Sequence, residues 1–430
     1  MEYRELMDYC IEQLKLKGAD KSRILLNQEE KRELYFNAGI IKMFRTTFNT
    51  TLTLTAIKDN KKGSKVLNKT DKGSLDLAIE ETIALAESSE PDEAHDISED
   101  QPAESFESGI MDPDNDKMYV KLNEFLTHVK EAYPITHFEE GGVSFNKNSI
   151  YLKNSNGMDY SSDQGYYQFV TMFTSKEGKK TSSFNYSAKI MNNLDEKFID
   201  IVNLKTLLKQ STEEVDAKAF DQKFEGDIIV TPECMGDMIG PILGHLSDYS
   251  HITGVSKLKD KLGEKIASDK FTLRSESLGG EFAVKSFFSG DGYKNENVNI
   301  IENGVLKSFL LTLYGSKKVG KDRAKTDGAN MSIDPGDIKF ADMVKNTKKG
   351  ILLSRFSGGQ PNDNGDFSGI AKNSYYIEDG EIKYPVKEIM ISGNMFKFLN
   401  DIVEISEEVT DFGYTKFPWM KVKDIMISGK

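Results

Sequence analysis

Apolar residues recur along this chain with two alternating periods. From residue 2 to 17, Leu6, Tyr9, Cys10 and Leu14 fall on one helical stripe, and Gly18 ends it. Strand-like runs follow at 32–37 and 46–58; the second alternates with period two and is rich in threonine, and Gly39 separates the pair. Ser74 is placed to cap a helix through Glu87, with Leu75, Ala78, Ile79, Ile83 and Ala86 on its inner face. A third helix is expected over 117–132, with Met118, Leu122, Phe125, Leu126 and Val129 inward. Strands at 143–145 and 149–152 then reach Asn156-Gly157, a tight hairpin turn, and return through an aromatic run at 166–173. A helix over 195–210 closes this portion.

From residue 227 onward the pattern changes to short strands punctuated by glycine. Asn303-Gly304 and Asp379-Gly380 each sit between strand-like runs and predict two more hairpins. One helix is expected inside this region, over 232–249. Residues 388–394 (EIMISGN) and 424–430 (DIMISGK) echo each other, as two pairing or edge strands would. The expected architecture is therefore α+β: N-terminal α/β subdomains at 1–95 and 117–215, then a mainly antiparallel β-rich domain at 225–430 with an embedded helix. The stretch between the first two, 88–116, is acidic and poor in aliphatic residues, and reads as a linker or surface excursion.

Composition narrows the function classes. The 430 residues carry 56 Lys and Arg against 69 Asp and Glu, a formal charge of −13. Duplex binding works through clustered cations that displace counterions, so this balance argues against direct nucleic-acid contact. The paired lysines at 61–62, 179–180, 317–318 and 348–349 lie close to glycines and read as solvated turn tips. Two cysteines, Cys10 and Cys234, make no disulfide framework. No run of 18 apolar residues offers a membrane span, and the opening MEYRELMDYC lacks a basic segment followed by an apolar one. A reduced, cytoplasmic protein is the expectation.

The chemistry of the chain is sparse. There is no HExxH, GxSxG, P-loop or GxGxxG pattern. His95, His128 and His137 read as surface residues, since a zinc site needs several converging donors. Cys234 opens an apolar helix, where a thiol pKa could fall, although a buried structural cysteine is the plainer reading. The informative segment is 228–250, IIVTPECMGDMIGPILGHLSDYS: a strand, Thr231-Pro232, then an apolar helix.

That segment resembles the part of the TldD/PmbA family which, in its catalytic members, carries an HExxxH zinc motif after a strand and a proline. On this pattern Gly240 and Pro241 stand in place of the first His and the Glu, and His245 matches the second His. Anchored on Glu378-Asp379-Gly380, the family's cysteine ligand falls on Ala371. Two further stretches, YLKNSNGMDYSSDQGYYQF and FSGGQPNDNGDFSGIAKNSYYIEDGEIKYPVKEIMISGN, are similar to the family's second domain and C-terminal signature.

The resemblance is to the PmbA (TldE) side of the family. It implies a non-catalytic chain without metal whose partner, a TldD-like subunit, holds the zinc; the substrates are unfolded peptides. The four positions Gly240, Pro241, His245 and Ala371 are then vestigial, and a homodimer is the alternative assembly. Two other function classes stay open. One is a self-sufficient metallopeptidase using His245 with Asp248 or His251, although residues six apart on a helix diverge by about 240°. The other is a gyrase-associated regulator.

Overall fold

The computed structural model describes residues 3–429. Two large sheets dominate it. The first has eight strands and is built around three long ones, Lys21–Asn37, Thr136–Asn154 and Asp159–Glu177. Lys21–Asn37 pairs with Ile40–Lys58 on one side and with Thr136–Asn154 on the other, so segments 1–95 and 117–215 share a single sheet. Alternation along these strands sets the packing. Ile24 and Leu26 point to one face with Leu52 and Leu54, where the helices Tyr3–Leu16 and Lys72–Ser88 cover them. The helix Asn115–Ala132 buries the five apolar residues its periodicity predicted.

The second sheet has fourteen strands, centred on the long C-terminal strand Lys416–Ser428. It pairs antiparallel with Lys223–Val230, Ile402–Asp411 and Ile389–Asn394. The two echoing segments pair with each other, Ile391 opposite Ile427 and Ser392 opposite Met426. Both expected hairpins form, with Asn303 and Asp379 at φ +47° and +50° and the following glycines at +79° and +78°. Asparagine, aspartate and glycine are the residues that enter this left-handed region at little cost.

Several boundaries differ from expectation, each for a visible reason. The helix expected to start at Ser74 begins at Lys72, because the Asp71 carboxylate accepts the Ser74 N–H at 3.0 Å and takes the cap. The helix expected over 195–210 is a 3-10 turn at Phe198–Asp200 followed by a helix at Leu204–Glu213. Val202 and Asn203 break it with φ +39° and +57°, and Asn203 donates across to Glu233 and Thr410 at 2.9 and 2.7 Å. The helix expected over 232–249 ends at Gly244, and a short one follows at Asp248–Ile252.

The acidic stretch is not a free linker. Ala94, Ile97 and Ser98 are buried, and Glu104–Gly109 adds a parallel strand to the first sheet. Its carboxylates reach the C-terminal domain: Asp92 to Lys318 at 2.9 Å, Glu104 to Lys294 at 2.8 Å, and Asp96 to Lys317, with Lys21 of the first sheet on its other oxygen. The Lys317-Lys318 pair is thus engaged on the helix Leu313–Val319 instead of standing at a free turn tip.

Candidate functional site

The strand Lys223–Val230 runs into Thr231, and Pro232 opens the helix Pro232–Gly244 at a position where its missing N–H costs nothing. Cys234, Met235, Met238, Ile239 and Ile242 face the core. The opposite face is bare. Gly236, Gly240 and Gly244 follow one another at helical spacing, and a methyl built on any of them would meet nothing within 4 Å. The helix runs on through Pro241, whose ring leaves the Asp237 carbonyl without its usual helical donor.

Gly236 and Gly240 open onto a groove of about 310 Å3. Its far wall is the strand Asn185–Met191, with the half-exposed rings of Tyr186 and Tyr414 at the rim. This strand pairs on one side only, with the outer part of Asp159–Glu177. On its other side the Ile190 N–H donates to the Phe412 carbonyl at 2.9 Å. Backbone groups alternate in direction along a strand, so Ala188 and Tyr186 aim theirs the same way, into the groove. Among the described residues neither has a backbone partner there.

The helix carries two acids, half-buried Glu233 and exposed Asp237, both partly shielded from solvent at the carboxyl. Burial raises Glu233, against the pull of the Asn203 amide at 2.9 Å. Burial also raises Asp237, opposed by the Phe356 N–H and the Arg355 guanidinium. Arg355 lies 3.8 Å over the Phe184 ring and donates to the Phe184 carbonyl at 2.5 Å, which locks the start of the groove's far strand. Burial drives the Cys234 thiol well above its ordinary range, the opposite of what a reactive helix-start thiolate needs.

The sequence-predicted positions are placed as follows. His245 caps the end of the helix, with its Nδ1 accepting the Lys257 N–H at 3.4 Å and its ring 5.2 Å from Phe396. Burial lowers its pKa, which favours the neutral ring. His251 is also buried, edge-on to Phe309 at 4.5 Å. Asp248 accepts the Thr312 N–H at 2.9 Å together with the Thr312 hydroxyl, and is therefore held by the neighbouring turn. Ala371 is fully buried in the strand Asp366–Lys372, opposite Phe356 and Ile389. Gly240, Pro241 and Ala371 offer no donor, and His245 is left as a single imidazole; this set does not fit a zinc ion. Among the described residues no three His, Cys, Asp or Glu side chains converge elsewhere.

Sequence reading missed the groove's far wall. Nothing local in residues 185–191 marks them as an unpaired edge, because pairing is decided by strands elsewhere in the chain. His95, expected at the surface, is half-buried and stacks on Tyr314 with centroids 5.2 Å apart.

A model of the PmbA/TldA metallopeptidase C-terminal domain matches residues 223–429. A zinc metalloprotease TldD homolog from Saccharolobus solfataricus is 32% identical over 203 residues, 44% of this chain; the match spans 45% of that protein's length. Two solved structures share the whole fold. TldE from Thermococcus kodakarensis has a TM-score of 0.83 at 20% identity, covering 99% of this chain and 100% of its own. A protein from Bacteroides thetaiotaomicron described as a modulator of DNA gyrase has a TM-score of 0.85 at 22% identity, covering 100% and 99%. Residues 223–429 thus belong to the PmbA/TldA metallopeptidase C-terminal domain family, and the complete chain shares the fold of these two solved structures.

Proposed function

We propose that this chain is the non-catalytic, TldE/PmbA-like subunit of a zinc metallopeptidase, pairing with a TldD-like subunit that holds the zinc and cleaves unfolded peptides. The observation that carries this reading is the Pro232–Gly244 helix: at the positions that would supply a ligand and a general base it has Gly240 and Pro241, and Gly240 lines an open groove. Zinc in such a site would polarise a water for attack on the peptide; no residue at these positions could hold it or take the proton.

What this chain's own residues can do is bind and orient. The free backbone groups of Tyr186 and Ala188 can pair with a peptide laid alongside as an added strand. Main-chain hydrogen bonds read extension and not sequence, which suits a variable, unfolded substrate. The glycine face of the helix leaves room for side chains of any size, and the Tyr186 and Tyr414 rings give apolar contact at the rim.

The test is purification of the chain alone and with a TldD-like partner from the same cell. The isolated chain should carry no stoichiometric zinc and cleave no peptide, and the pair should cleave unfolded peptides until a chelator is added. Zinc-dependent cleavage by the isolated chain would overturn the proposal.

A further inference from the structure

We infer that the cleft between the first sheet and the C-terminal domain is an anion site, built for the phosphate group of a small organic molecule. The cleft holds about 480 Å3, within the range of small-molecule sites. One wall is the face of the first sheet opposite its helices. Register puts Arg23 opposite Thr55 and Lys62 opposite Ile57, so period-two alternation turns these four side chains onto one face.

Burial, and after it the neighbouring Arg23 guanidinium, lower the tendency of Lys62 to stay charged, so the two cations lie close enough to repel. Neither makes an ion pair or side-chain hydrogen bond with any described residue. In a chain of charge −13 that stands out, because acid–base ion pairs are numerous elsewhere among the described residues.

The nearby carboxylates are engaged by other partners. Asp291 is held by Arg323 through two bonds at 2.8 and 2.9 Å and also accepts the Leu313 N–H at 2.8 Å. Asp96 is shared by Lys21 and Lys317. Asp327 takes the Ser286 hydroxyl at 2.5 Å and the Ala329 N–H at 3.1 Å. Each acid on the rim is hydrogen-bonded by its own partner; Asp291 still attracts Arg23 from a distance, but neither Arg23 nor Lys62 has an ion pair among the described residues.

A third group points the same way. His95 lies beside Lys62, and its Nδ1 is buried with no hydrogen-bond partner. A buried polar atom left unpaired costs about 1–3 kcal/mol, a cost a ligand's oxygen or hydroxyl removes. Arg23 offers up to five N–H donors in a planar fork suited to a phosphate, and Lys62 adds a point charge. The apolar part of the lining is Leu25, Ile57, Ile97, Leu310 and the stacked Tyr314 ring, a surface for the apolar body of the ligand beside the engaged acids of the rim.

The site is distinct from the peptide groove and does not depend on the subunit role proposed above. Calorimetric titration of the full chain at constant ionic strength, with inorganic phosphate in one arm and phenyl phosphate in the other, tests it. Both should bind saturably, phenyl phosphate more tightly, and Lys62→Gln and Arg23→Gln should each weaken binding by about tenfold or more, as loss of a charge-assisted bond does. Equal affinity for the two probes would mean the bare anion is the ligand and overturn the assignment to an organic phosphate. No saturation with either probe, or unchanged affinity in Lys62→Gln, would overturn the site itself. Lys62 is exposed at the rim, so that variant decides the matter even if Arg23→Gln fails to fold. Without ligand, Lys62→Gln should not lower the melting temperature, since it removes one of two like charges.

Discussion

At the scale of single residues, glycine and charge make opposite demands. Gly236 sits mid-helix with open space where a side chain would go, so Gly236→Ala should stabilise the chain by about 0.5–1 kcal/mol in urea unfolding. Gly240 has the same open space but precedes Pro241, whose Cδ crowds a Cβ on the residue before it; Gly240→Ala should return less, or cost stability. Lys421 is 4% exposed and ion-paired to Glu404 at 2.6 Å. Glu404→Leu alone should cost about 3–5 kcal/mol by stranding a buried ammonium, and adding Lys421→Met should recover most of the loss. If the double variant is no more stable than the single one, the pair is not the source of the penalty.

At the scale of elements, the edge strand Asn185–Met191 is the piece on which peptide binding rests. The Ala188 N–H points away from the partner strand, and a proline at such an edge position removes no ladder bond. Ala188→Pro should therefore change unfolding free energy by less than about 1 kcal/mol while abolishing capture of an unfolded peptide, measured by fluorescence anisotropy. Retained capture would put the peptide elsewhere. The ends of the Pro232–Gly244 helix show why element boundaries escaped the pattern: His245 turns out of the helix because its carbonyl accepts the Ser256 hydroxyl at 2.6 Å, a partner eleven residues on.

At the scale of the whole molecule, buried ionisable groups set limits on pH from both sides. Burial lowers the His245 and His251 pKa values below the ordinary 6.5. Their contribution is complete above 6.5 and is lost as pH falls below it, when the unfolded chain takes up protons that the folded one refuses. Glu214, buried at 6% exposure, is pushed up to about 8 by loss of solvent. The folded chain then keeps a proton that the unfolded chain releases near 4.5, so its contribution is full below 4.5 and drains away as pH rises to about 8. Glu214→Gln should leave stability near pH 4 almost unchanged and raise it at pH 8, by up to about 1.4 kcal/mol per pH unit crossed, measured by urea melts across the range. Equal effects at both ends would mean the carboxyl is not buried as a neutral acid.

The sequence by itself determined the α+β class, the inward faces of the helices at 3–16 and 115–132, and the hairpins at Asn303-Gly304 and Asp379-Gly380. These depend on side-chain periodicity and on backbone angles that few residues adopt, both of which are local. It also revealed that Gly240, Pro241 and Ala371 carry no metal donor, because donor chemistry belongs to residue identity. Only the tertiary structure decided that the two N-terminal segments share one sheet and that the acidic stretch is strapped to the C-terminal domain by ion pairs. It alone left Tyr186 and Ala188 facing an open groove, and Arg23 and Lys62 without an ion pair among the described residues. Pairing and its absence are settled by residues a hundred or more positions apart, and no local pattern encodes them.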